Sequence, residues 1–543
     1  MPADPARSGA RPASPVTPLA GVRFVEAGRN PAASYAGRLL VLLGAEVVKM
    51  VPGRRDVVTP AASDPLDAGK LVHEGGGGSH PDAWREVPAA AVIDGTGRIT
   101  PAVDSCPVVA APPVGSAAEE WAASGSMALT AMQGRAMPAV PGAAAVAMRG
   151  AALALRVLAA CRGYELSVDG PALFGERAAL LGLGPGTGDV SASGYSHLLR
   201  AADGWLAVTL NRPDDLGLLP AVLARPGPLH IADLRAAAAG MAAGDLAARA
   251  QLLGIPAATV GPPSGEDEQL AARGQGWPPA PWLVDGRVPS ARAEPPGPDR
   301  FAPCRPVSRR VPLVVDLSAL WAGPLATSLL LAAGCRVVKV EDPGRPDSTR
   351  SGPAAFFDLL NGGKESVTVP FTPDGPLASL VASADVVVEA SRPRAMEQLG
   401  IEPSPDQLWV SLTGYGRTGP WRQRVALGDD AAVAGGLVVR DGPEGAPLFC
   451  GDAAADPVSG LHAAVAILAG VAGGFRGTID LAMREVVGHA VGRAGTGSGD
   501  PRAGDARGAA PRAAPPPAPP RARRPAAPGP ELGGDTAAVL ASL

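Results

Sequence analysis

Asp456 has the setting of a reactive carboxylate. It lies in Ala455-Asp-Pro-Val-Ser-Gly460, immediately before an Ala/Leu/Val-rich stretch. An Asp followed by Pro reads as a helix opening, with the side chain as cap and proline at the first helical position. The same place can also serve chemistry. A carboxylate at a helix N-terminus is held ionised by backbone N–H groups and the dipole, and an ionised carboxylate among small residues can attack an acyl group. Both readings stand on the residues alone. The Gly-rich run Thr413-Gly-Tyr-Gly-Arg-Thr-Gly-Pro-Trp421 is either a surface loop or a backbone bare enough for a large ligand to approach. It is not a phosphate-cradling P-loop, since no Gly-Lys-Ser/Thr follows, and no strand–helix turn carries GxGxxG. Asp429 and Asp430 read as solvated charges at a helix start. Lys339 and Glu341 read as a solvated strand end or as contacts to phosphates or ribose. Asn361, Lys364 and Ser366 either hold a turn or line a ligand, and Glu74-Gly-Gly-Gly-Gly-Ser-His80 reads as a linker.

These residues are positioned by a repeat, which has to be settled before local detail. Gly21–Glu26 and Ala36–Lys49 recur as Pro312–Asp316 and Ala326–Lys339 at an offset of 290, which also pairs Gly44 with Gly334 and Glu26 with Asp316. Each copy reads as strand, apolar helix, Gly turn and β-branched strand, a βαβ unit that implies parallel strands and a right-handed crossover. A second pair, Gly142–Ala160 and Asp452–Gly470, aligns Gly150 with Gly460. Val146 then stands where Asp456 does, so the first copy lacks that carboxylate. The expected fold class is α/β: two Rossmann-like parallel-sheet modules, residues 17–300 and 308–493, with a smaller α+β domain near 190–285. Residues 1–16 are expected to be a disordered N-terminus and 494–530 a disordered Pro/Ala/Arg-rich linker. Residues 531–543 regain a helical pattern.

Composition narrows the function. Gly and Pro, 70 and 60 of 543 residues, approach a low-complexity share, but scarce Lys and abundant Arg, Ala, Gly and Pro point to coding bias. A net charge of −4 argues against a nucleic-acid partner. Arg149 and Arg156 interrupt Ala143–Ala160, and Leu461–Ala472 is too short, so no membrane span is expected. The N-terminus lacks the apolar core of a secretory signal. Five scattered Cys without CxxC fit a reduced, cytoplasmic protein, and six His without HxxxH spacing give no metal site.

Taken together, several strings resemble the family III CoA-transferases, the CaiB–BaiF family. They are Pro18–Glu26, Ala322-Gly-Pro with Leu331–Glu341, Asn361-Gly-Gly-Lys-Glu-Ser366, Arg392-Pro with Leu399-Gly400, Gly414-Tyr-Gly-Arg-Thr-Gly-Pro420 and Leu532–Leu540. The resemblance implies that Asp456, four residues before Gly460, is the nucleophile. It implies transfer of CoA from an acyl-CoA to a carboxylic acid through an aspartyl anhydride and thioester, with the CoA thioester as substrate and no permanently bound cofactor. Contacts to CoA would fall on Trp321, Ala322, Lys339, Val369, Ser391, Arg392, Gln398 and the loop Thr413, Gly414, Tyr415 and Gly416. A racemase branch of that family uses Gly-His-Asp, where this chain has Gly428-Asp-Asp430. An acyl-CoA racemase or epimerase, and an inactive CoA-binding scaffold, are the alternative readings. One chain would pool parts that the family divides between intertwined subunits, as a monomeric pseudo-dimer or a homodimer.

Overall fold

The computed structural model describes residues 17–52, 57–60, 67–68, 70–75, 89–96, 99, 106–130, 143–262, 265–288, 307–373, 375–440, 445–493 and 515–542. The expected N-terminal segment 1–16 and most of the Gly-rich run after Glu74 lie outside these residues, as does 494–514.

The fold is mixed α/β, with two largely parallel sheets. The first is built from β1 (Arg23–Ala27), β2 (Glu46–Pro52), β3 (Val57–Pro60), β4 (Leu71–Gly75), β5 (Ala91–Asp94) and β6 (Val108–Ala110), in the order β3-β4-β2-β1-β5-β6. A small antiparallel sheet follows, β7 (Ser196–Arg200), β8 (Trp205–Thr209) and β9 (Ala257–Thr259). The second large sheet takes β10 (Leu283–Val284), β11 (Leu313–Asp316), β12 (Arg336–Glu341), β13 (Glu365–Thr368), β14 (Val386–Glu389) and β15 (Leu408–Thr413). β16 (Val438–Arg440) and β17 (Pro447–Phe449) form a separate hairpin-like pair, and β18 (Gly477–Ala482) returns to the second sheet. The second sheet runs β10-β18-β15-β14-β11-β12-β13. Among the described residues, only β3 on β4 and β10 on β18 are antiparallel within the two large sheets.

The 290-residue repeat is visible as register. β1 and β2 are parallel with Glu26 opposite Lys49, and β11 and β12 are parallel with Asp316 opposite Lys339. Both connecting helices, Pro31–Val41 and Ala322–Ala332, end in a turn whose Gly44 and Gly334 have φ of 88° and 84°. Only glycine adopts that conformation without a Cβ penalty. One boundary moves: β10, within the expected first module, is an edge strand of the second sheet, with Leu283 opposite Asp480.

Between the sheets lie two long helices, Ala144–Cys161 and Ala455–Gly473. By length and composition alone both could cross a membrane, the first despite Arg149 and Arg156. Their apolar windows are 83 % and 94 % buried inside the protein, as core helices require. Each packs on the connecting helix of its own βαβ unit at a glycine. A Cβ on Gly150 would lie 2.9 Å from the Ala32 carbonyl oxygen, and one on Gly460 would lie 2.6 Å from the Ala322 carbonyl oxygen. The helix Pro31–Val41 is tied to the second of them where the Tyr35 hydroxyl and His462 Nε2 are hydrogen-bonded at 2.9 Å, in a buried setting.

The described part of the expected disordered linker, residues 515–530, is a packed strap. Ala518 N–H donates to the Ala122 carbonyl, Arg523 forks onto Glu176, and Gly529 N–H donates to Asp358. Its Pro/Arg composition concealed this, because the partners are single carboxylates and carbonyls far away in the chain. The helix Thr536–Ala541 follows, anchored by Asp535, which accepts from Ser366 N–H at 2.8 Å on β13.

Candidate active site

Helix Ala455–Gly473 begins without a side-chain cap. Its N-cap is Ala454, so Asp456 sits inside the first turn rather than at the cap position expected from Asp-Pro. This leaves the carboxylate free to point away from its own backbone. It is half-buried, against the first turn of helix Ala322–Ala332, where the Ala322 backbone N–H faces it. On the other side lies Gly428, where any Cβ would collide with the Asp456 carboxylate and with the Ala453 carbonyl. A glycine is therefore needed for the approach.

Three more carboxylates and one arginine surround it. Asp452 is fully buried and paired at 3.0 Å with Arg177, which comes from the short helix Glu176–Leu181 of the first half of the chain. The Arg177 guanidinium also stands 5.8 Å over the Trp321 ring. Asp429 accepts from Ser196 Oγ and from Ala453 N–H, both at 2.8 Å. Asp430 accepts from Leu427 N–H at 2.9 Å and Thr209 Oγ1 at 3.2 Å. Ser196 and Thr209 belong to β7 and β8, so the small sheet braces the helix Gly428–Ala434 from behind.

Burial dominates the electrostatics. It pushes Asp456 up to about 7, helped by Asp429 and Asp452 and opposed by Arg177 and the Ala322 N–H. Asp452 is likewise pushed up to about 7 by burial, with Arg177 pulling it back. Asp430 rises to about 8 through burial and its neighbour Asp429. Burial also raises Asp429, against its hydrogen bonds from Ser196 and Ala453. Arg177 is the cation that favours the charged form of Asp429, Asp452 and Asp456 alike. The site can thus switch Asp456 between carboxyl and carboxylate near neutral pH, with its carboxylate beside a backbone donor and a bare glycine.

The other sequence candidates follow the carboxyl ends of the parallel strands, the usual ligand edge of such sheets. Trp321 and Ala322 follow β11, and the Ala322 N–H faces Asp456. Trp321 is buried edge-on to Phe356, with ring centroids 5.5 Å apart. Val369 is buried after β13 and donates its N–H to the Glu341 carbonyl. Ser391 and Arg392 follow β14; Ser391 N–H donates to the Glu389 carboxylate at 2.7 Å, and Arg392 is half-exposed beside Gly254. Gln398 is exposed at the end of helix Pro393–Gln398. At the end of β15, Thr413 Oγ1 accepts from Gly416 N–H at 2.9 Å, Gly414 is half-buried, and Tyr415 is buried edge-on to Trp421.

Several charged residues are not where sequence reasoning put them. Lys339 is no solvated strand end: its ammonium is buried, 2.9 Å from Asp347 and 3.0 Å from the Ser318 carbonyl. Glu341 is buried and holds Arg350. Lys364 is buried on Asp316 at 3.1 Å and on Asn361 at 2.9 Å, so this group holds the turn. Asp429 and Asp430 are buried rather than solvated. Arg177, Ser196 and Thr209 were not singled out from sequence. No motif marks them, and Arg177 is 275 residues from its partner Asp452. Asp452 lies four residues before Asp456, but it precedes the helix and the left-handed Ala453 separates them, so helical spacing does not mark it.

Residues 312–515 match the family description "CoA-transferase family III". Succinyl-CoA:glutarate CoA-transferase from Homo sapiens is 37 % identical over 175 residues, covering 29 % of this chain and 40 % of that protein. Acetyl-CoA:oxalate CoA-transferase from Acetobacter aceti is 33 % identical over 155 residues, covering 26 % of this chain and 40 % of that protein. The crystal structure of Rv3272 from M. tuberculosis, orthorhombic form, superposes with a TM-score of 0.30 and 34 % identity, covering 32 % of this chain and 53 % of that one. The chain spans about 40 % of the length of the curated relatives it matches.

Proposed function

We propose that this chain, whose residues 312–515 match the CoA-transferase family III description, transfers CoA between an acyl-CoA and a carboxylic acid, with Asp456 as nucleophile. The observation that carries the reading is the half-buried Asp456, set between the Ala322 N–H and the bare Gly428.

The steps balance as two acyl exchanges on one carboxylate. An Asp456 oxygen attacks the thioester carbonyl, the C–S bond breaks and CoA leaves as thiolate, giving a mixed anhydride. The thiolate then attacks the Asp456 carbonyl of that anhydride and expels the first acid, leaving an Asp456–CoA thioester. The acceptor carboxylate attacks the thioester carbonyl and re-forms an anhydride, and the thiolate finally takes the acceptor's acyl group and frees Asp456. At each tetrahedral stage, negative charge develops on an oxygen beside Asp456, where the Ala322 N–H can donate. Arg177 favours the ionised nucleophile, and the buried surroundings limit hydrolysis of the anhydride.

In this reading the first half of the chain supplies Arg177, Ser196 and Thr209, and the second half supplies Asp456. One chain so combines parts that two subunits would otherwise share. The strand-end residues Trp321, Val369, Ser391, Arg392 and Thr413–Gly416 would line the CoA path. Lys339, committed to Asp347, would shape this edge from beneath.

The test is exchange of labelled CoA between two acids. Wild-type protein should exchange it, and Asp456→Ala and Asp456→Asn should not. Full exchange by either variant overturns the assignment.

A further inference from the structure

The strap 515–530 passes directly behind the active site. Pro520 packs on Gly125 and Gly175, and Arg521 reaches Asp169 at 2.5 Å. Two residues later, Arg523 closes a two-pronged ion pair on Glu176, Nε to Oε1 at 2.5 Å and the terminal nitrogen to Oε2 at 3.0 Å. Glu176 is fully buried, while Arg523 keeps 28 % of its side chain exposed. Glu176 opens the helix Glu176–Leu181, and the very next residue is Arg177. Successive helical residues project about 100° apart. Here Glu176 meets the strap, and Arg177 meets Asp452 and Trp321 in the site.

From this geometry we infer that the C-terminal strap is a positioning element for the active site: Arg523, by clamping Glu176, fixes the helix turn that aims Arg177 at the Asp452–Asp456 carboxylates. The fork is suited to this role because two parallel hydrogen bonds fix orientation as well as distance. The helix it holds has only six residues, and its N-cap, Gly175, makes no side-chain cap hydrogen bond. Lost local order there would let Arg177 swing from the site. Asp456 would then lose the cation that opposes its desolvation.

The inference rests on Asp456 as the reacting carboxylate, so the test reads the titration of Asp456 without turnover. A diazo reagent that esterifies protonated carboxyls is applied to the full chain across pH, and labelling of the Asp456 peptide is followed by mass spectrometry. Arg177→Met sets the ceiling and should raise the labelling midpoint by about one pH unit, as expected for loss of a nearby opposite charge. Glu176→Ala is the deciding variant. Removing an anion would by its field alone lower the midpoint of a neighbouring carboxyl, whereas loss of positioning raises it towards that of Arg177→Met. In Glu176→Ala/Arg177→Met no further rise should follow. A midpoint that stays or falls in folded Glu176→Ala overturns the inference, as does a rise that adds to that of Arg177→Met. Should Glu176→Ala fail to fold, Arg523→Gln is judged by the same rise and the same non-additivity. Absence of CoA exchange in the wild type would count against the proposed function and leave this readout intact.

Discussion

Gly460→Ala sets two known effects against each other at the site. In an open helix interior, replacing Gly with Ala gains about 1 kcal/mol. Here the new Cβ would lie 2.6 Å from the Ala322 carbonyl oxygen and 3.1–3.2 Å from two Leu325 carbons, so about 0.8 Å is missing from ordinary contact with the oxygen. That oxygen is backbone and cannot rotate away. Helices Ala322–Ala332 and Ala455–Gly473 must part instead. Overpacking of this kind costs about 1–3 kcal/mol, enough to cancel the propensity gain and leave a net loss of about 1–2 kcal/mol at the upper end. The Ala322 N–H that faces Asp456 belongs to the displaced turn. A misplacement approaching 1 Å costs about 100-fold in rate. The assay pairs guanidinium denaturation with CoA exchange, using Gly244→Ala as control, because Gly244 lies in helix Ala243–Leu252 with open space around it. The control should gain stability and Gly460→Ala should lose both stability and rate. A Gly460→Ala variant that is stabilised by about 1 kcal/mol with full exchange would refute the close-approach account.

Two further predictions concern pH. Asp430 is buried with Oδ2 unpartnered, and its pKa is near 8 against 3.8 in the unfolded chain. Between these values the native state holds a proton that the unfolded state lacks, so wild-type stability should fall by about 1.4 kcal/mol per pH unit from this group. Asp430→Asn removes that slope, and denaturation curves from pH 4 to 8 should increasingly favour the variant; parallel curves would exclude the assignment. For Asp456, raised to about 7, the acylation rate should climb through neutral pH to a plateau as the nucleophilic carboxylate forms. A rate that declines over that range in single-turnover measurements would contradict a carboxylate nucleophile.

The parts of the architecture that were legible are those set by local periodicity. The paired strings around Glu26–Lys49 and Asp316–Lys339 became parallel strand pairs in matching register, because β-branched runs and a Gly turn constrain a βαβ unit locally. Gly460 was readable as a small residue one turn beyond Asp456, and its reason became visible only with the Ala322 carbonyl beneath it. Buried charge was not legible. Lys339, Lys364, Asp429 and Asp430 look like surface residues in a string, because their partners come from other strands and helices. The strap failed for the same reason: low apolar content suggested disorder, while Arg523, Ala518 and Gly529 find single polar partners on three separate elements.

The central claim is that Asp456 carries the acyl group. Its most direct measurement is trapping with hydroxylamine during incubation with acyl-CoA, followed by mass spectrometry of the peptide spanning Ala455–Gly460. A hydroxamate on Asp456, dependent on acyl-CoA and lost in Asp456→Asn, is the predicted result. Active exchange with no adduct on Asp456, or with the adduct on another carboxylate such as Asp452 or Asp429, would contradict it.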